Sequence, residues 1–98
     1  MLIGDNLERI ISETYGKITC SPCRKRVKKL NTMTVEEALS SIDETAEDVY
    51  NSRRKIKSRL LRIMSDTLPK SMVLEIVKNH IRQAIQEHKE WLTLQSAQ

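Results

Sequence analysis

Cys20 and Cys23 stand two residues apart with Ser21 and Pro22 between them, and they are the only cysteines in the chain. Such a pair at the start of a helix can do two kinds of chemistry. A thiolate there is stabilised by the helix N-terminus and by the cations that follow it, Arg24, Lys25, Arg26, Lys28 and Lys29, which favours dithiol exchange. The same spacing also supplies two of the four ligands of a tetrahedral zinc site. Dithiol enzymes of the thioredoxin kind need a βαβ scaffold, and no strand pattern is legible in this sequence. For zinc, His80 and His88 are the available histidines. Eight helical residues separate them by about 12 Å, so both cannot hold one ion on an intact helix. One histidine, or an all-cysteine site shared by two chains, would complete the set. The plainer expectation is that both thiols are small packing groups at a turn. No cofactor is therefore expected, with zinc at Cys20 and Cys23 as the alternative.

Charge is arranged in blocks. After the first basic block comes an acidic one, Glu36, Glu37, Asp43, Glu44, Glu47 and Asp48, and then a second basic one, Arg53, Arg54, Lys55, Lys57, Arg59 and Arg62; the net charge is +4. Cations in such numbers can neutralise several phosphates and hold a nucleic acid in a salt-dependent way. Against that use, the second block wraps most of a helix circumference at about 100° per residue. The only aromatics are Tyr15, Tyr50 and Trp91, too few for a base-stacking platform. The alternative is pairing: the acidic half of one long helix meets the basic half of another, or the first basic block folds back on residues 36–48. Such pairing sets orientation more than affinity.

No glycine-rich phosphate loop, H-E-x-x-H or G-x-S-x-G motif occurs, so no enzyme is expected and no catalytic residue is named. No apolar run approaches the ~20 residues that span a bilayer. The opening residues carry early acids and no basic segment of a signal peptide. Two closely spaced cysteines make no disulfide framework. A cytoplasmic protein with no membrane association is the expectation.

The elements that must position these groups are helical. With two glycines and two prolines in 98 residues, the chain is short of turn formers. A first helix is expected over 5–15, with Asp5 as its N-cap and Gly16 beyond its end. Pro22 suits the first turn of a second helix, which Asn31 and Thr32 end. Thr34 and Glu37 have the spacing of a capping box. Apolar side chains then recur at Val35, Leu39, Ile42, Ala46, Val49, Ile56, Leu60 and Ile63, with Arg53 interrupting, which is a heptad seam. Pro69 breaks the pattern. A last helix to about residue 94 carries Leu74, Val77, Ile81, Ile85, His88 and Leu92 on one stripe, widened by Trp91. Trp91 suits a core or interface anchor.

The stretch Ile3-Gly-Asp-x-x-Glu-x-Ile, followed by Cys20-x-x-Cys23-x-x-Arg26-x-x-x-Leu30-Asn31, resembles small uncharacterised proteins of phage and prophage regions. The resemblance covers residues 3–31. It suggests a viral or mobile-element origin and implies no activity.

Together these features predict one all-α domain. Residues 1–33 form two short helices with the C-x-x-C turn, and 34–98 form a long antiparallel helical hairpin with arms at about 34–64 and 69–94. The expected function is assembly: a homo-oligomer or adaptor joined through Leu39, Ile42, Val49, Ile56, Leu60, Ile63, Val77, Ile81, Ile85 and Leu92. A nucleic-acid-binding protein using the two basic blocks is the alternative.

Overall fold

The computed structural model describes residues 2–15, 21–52 and 59–96. Within them lie six helices: α1 (Ile3–Tyr15), α2 (Ser21–Asn31), α3 (Val35–Ser40), α4 (Ile42–Asn51), α5 (Arg59–Thr67) and α6 (Lys70–Ser96). No strand occurs among the described residues, so the expected all-α class stands.

The spine is α6. It buries Val73, Val77, Ile81, Ala84, Ile85 and His88, a helical stripe wide enough to serve two neighbours. On one side α1 brings Ile3, Leu7, Ile10 and Ile11; on the other α3 and α4 bring Ala38, Ala46 and Val49; Leu30 of α2 closes the end of the same core. Each fully buried aliphatic side chain contributes about 1.5–3 kcal/mol relative to exposure. That is how a core without phenylalanine holds together. Ion pairs fix the direction of α4 against α6: Asp43 meets Lys78 at 3.0 Å and Glu47 meets Lys70 at 2.6 Å, so the two helices run antiparallel. Lys70 also sits over the Tyr50 ring, 5.2 Å from its centroid.

The first hairpin arm differs from the continuous helix expected over 34–64. The capping box at its start forms, with Glu37 N donating to Thr34 Oγ1 (3.2 Å) and Thr34 N donating to Glu37 Oε1 (3.1 Å). The helix then breaks at Ser41, which divides α3 from α4, and ends again at Ser52. Both serines turn their hydroxyls back onto the preceding turn. Ser41 Oγ donates to the Glu37 and Ala38 carbonyls, and Ser52 Oγ to the Asp48 and Val49 carbonyls. Such back-bonding competes with the backbone ladder and often bends helices; here it accompanies the end of the helix at both serines. Leu68 and Pro69 then separate α5 from α6. The Pro69 carbonyl accepts from Met72 N and Val73 N, closing the first turn of α6.

Asp5 is not the N-cap of α1. That helix begins two residues earlier, at Ile3, and its entrance is held from outside. Asp5 N donates to Asn31 Oδ1 (3.1 Å), while Asn31 Nδ2 donates to Asp5 Oδ1 (3.1 Å). Gly16 lies outside the described residues.

Candidate functional site

The helix with the densest charge, α2, presents two faces of different character. Its inner face carries Cys23 and Leu30, both buried, and Arg26, whose guanidinium is taken up by α4. Arg26 Nε donates to Asp48 Oδ2 (2.9 Å), and a terminal nitrogen donates to Ser52 Oγ (2.6 Å). Lys29 reaches Glu44 at 3.8 Å. The first basic block thus folds back on the acidic one, through two of its five cations. Between α2 and α4 runs a groove of about 560 Å³, bordered by Lys25, Arg26, Lys29, Glu44, Glu47 and Asp48 among others. Its carboxylates are already engaged: Asp48 by Arg26, Glu44 by Lys29 and Glu47 by Lys70.

Arg24 and Lys28 stand on the outer face of α2, and Lys25 is exposed where that face meets the rim of the groove; none of the three is in an ion pair among the described residues. In the second basic block, Arg53, Arg54, Lys55 and Lys57 lie outside the described residues. Arg59 opens α5, and Arg62 is exposed on it.

The seam residues divide into two groups. Val49, Val77, Ile81 and Ile85 are buried in this chain's own core, and Ile42 packs partly against it. Leu39, Leu60, Ile63 and Leu92 are exposed. Ile56 lies outside the described residues. The exposed members are joined by Met72, Trp91 and Leu94. On α5 this leaves Met64 turned to the core and Leu60 and Ile63 turned away from it. The last residue of α6 to be buried is His88; beyond it Trp91, Leu92 and Leu94 meet solvent, 38%, 42% and 64% exposed.

Cys23 is buried but disulfide-bonded, where the sequence predicts a packed free thiol, and Cys20 lies outside the described residues. Nε2 of His80 is 2.8 Å from the Tyr15 hydroxyl, with the two rings edge to face. His88 stacks on Trp91, ring centroids 5.9 Å apart. Among the described residues no three His, Cys, Asp or Glu side chains gather as a metal site would require. Burial lowers the pKa of His80 and raises that of Tyr15. No helix among the described residues is long and apolar enough to cross a membrane.

No protein-family model matches the chain, and no curated protein or solved structure matches it. Its function must be argued from its own surfaces.

Three residues that organise these surfaces are not legible from periodicity. Asn6 is buried on α1 and donates through Nδ2 to the Ala84 carbonyl (3.2 Å). A Cβ on Gly4 would stand 2.2 Å from the Val27 carbonyl oxygen and 2.7 Å from Asn31 Oδ1, so α1 and α2 touch there through backbone. Asn31 completes that contact. A signal existed for Gly4, since a glycine inside a helical pattern commonly marks a close approach.

Proposed function

We propose that this chain is a helical assembly module without enzymatic activity, and that it associates with a second copy of itself through the apolar surface of α5 and the distal part of α6. The observation that carries this reading is the end of α6. Past His88 every described residue of α6 is exposed, and among them are Trp91, Leu92 and Leu94. A helical end without packing is marginal on its own in water. Exposed leucines clustered beside a tryptophan are what an interface anchor looks like before its partner arrives. Leu60 and Ile63 of α5 and Met72 in the first turn of α6 are a second set of exposed apolar side chains, with Met72 about 30 Å from Leu92 along the helix. A copy of the same surface is the simplest complement, because one patch then serves both sides of a two-fold interface.

The test is the mass in solution, by light scattering coupled to size exclusion, at low and high salt. The expected result is a salt-independent dimer that becomes monomeric when Leu92 and Leu94 are both replaced by glutamine. A wild-type chain that remains monomeric at high micromolar concentration sinks the proposal.

A further inference from the structure

The five cations of α2 do two different jobs. Arg26 is held inside the fold by Asp48, and Lys29, exposed at the surface, pairs with Glu44 at 3.8 Å. Arg24, Lys25 and Lys28 form no ion pair among the described residues. At about 100° per residue, Arg24, Lys28 and Lys25 follow one another across an arc of about 100° on the outward side of the helix, and Arg24 and Lys28 stand one turn apart, about 6 Å along the axis. The helix has no acidic residue of its own, and none in its first turn.

This arrangement costs the isolated chain stability twice. Like charges one turn apart repel. Arg24 and Lys25 also lie in the N-terminal half of α2, where the helix dipole is positive and a cation is unfavourable. Lys28 and Lys29, in the last turn, are explained by that same dipole; Arg24 and Lys25 are not. The chain has acids enough to neutralise them, yet Asp48, Glu44 and Glu47 engage Arg26, Lys29 and Lys70 instead. The platform is also held firmly. Arg26 pins α2 to α4, and the backbone approach at Gly4 locks it to α1. Three cations on a fixed helix therefore keep their backbone spacing when an anion arrives, and only their side chains have to be ordered on binding.

We propose that the outer face of α2, through Arg24, Lys25 and Lys28, binds the phosphate backbone of a nucleic-acid duplex without reading its sequence. A duplex fits better than a single strand, because Tyr15, Tyr50 and Trp91 all lie on other helices and no aromatic stands on α2 to stack a base. Sequence readout is not expected from side chains that contact only phosphates. This surface is separate from the apolar one assigned to self-association, so either proposal can fail alone.

The test is binding of the full-length chain to a labelled random-sequence DNA duplex, by fluorescence anisotropy, at about 50 mM and about 200 mM salt. Three phosphate contacts predict that affinity falls about 40-fold over that range. The variant R24Q/K25Q/K28Q is expected to lose most of that dependence, its salt slope falling by about one for each cation removed. All three side chains are exposed, so its melting temperature should equal or exceed that of the wild type. K89Q, which removes one exposed charge from α6, is the control and should leave the α2 contribution intact. Equal affinity and slope in the triple variant and the wild type would overturn the proposal. So would failure of the wild type to hold the duplex at the lower salt. Stronger retention of polyglutamate than of duplex at matched charge would assign this face to an acidic protein, and would also overturn it.

Discussion

Asp5 and Asn31 hold each other by two hydrogen bonds of equal length, one from a backbone N–H to an amide oxygen and one from the amide nitrogen to a carboxylate. The last residue of α2 thereby caps the first turn of α1. The cap works only because Gly4, beside Asp5, lets the two backbones meet. The Gly-Asp near the start of the chain and the Leu-Asn at 30–31 are thus two halves of one contact, with Leu30 buried in the core beneath it.

Gly4→Ala should destabilise the fold by about 2–3 kcal/mol, because the added methyl meets backbone that cannot rotate away. Asn31→Ala, which removes both bonds and uncaps α1, should cost about 1–2 kcal/mol. Urea unfolding followed by circular dichroism measures both. A Gly4→Ala protein as stable as the wild type would mean that α1 and α2 do not approach as described.

Arg26 and Asp48 form an asymmetric pair, with side chains 7% and 56% exposed. Removing the buried partner also leaves Ser52 and the space beneath α2 unfilled, so Arg26→Ala should cost about 2–3 kcal/mol. Asp48→Asn acts at a solvated end and should cost less than about 1 kcal/mol. Equal losses in the two variants would locate the stabilisation in the ion pair itself, not in the burial of Arg26.

The fold should weaken in mild acid. Burial lowers the pKa of His80 below its ordinary value of 6.5, so the unfolded chain takes up the proton first. The stability that neutral His80 allows is complete above about 6.5 and is lost as pH falls from there through the folded pKa. At the alkaline end burial raises the pKa of Tyr15 above 10.0, and stability declines as pH rises past that value, where only the unfolded phenol ionises. Melting temperature recorded from pH 5 to 8 should fall toward the acid end for the wild type and less steeply for His80→Gln. Parallel curves for the two proteins would remove His80 as the cause.

The two groups of seam residues should respond in opposite ways. Ile81, fully buried, should cost about 2–5 kcal/mol when cut to alanine, with no effect on the concentration dependence of the melt. Ile63→Ala, at a position 53% exposed, should leave the fold of a monomer within about 0.5 kcal/mol of wild type while weakening association. Thermal melts at several protein concentrations separate the two effects. A concentration-dependent loss at Ile81 would place that residue between chains.

Local grammar alone determined the helical class, the end of α2 at Asn31, the Thr34–Glu37 capping box and the break at Pro69. Each depends on residues within a turn of one another, and the physics there is short-range. The heptad pattern also marked Val49, Val77, Ile81 and Ile85 as side chains that need burial. It could not say against what, because a seam within one chain and a seam between two use the same period. Only the tertiary structure assigned those four to the chain's own core and left Leu39, Leu60, Ile63 and Leu92 outside. Nor could local sequence show that Ser41 and Ser52 would turn their hydroxyls inward and divide the arm, since a serine is equally at home facing solvent on a continuous helix. The division of α2 into Arg26, held by Asp48, and Arg24, Lys25 and Lys28, in no ion pair among the described residues, has the same origin. Five cations within six residues are alike in charge, and the position of α4 makes them different.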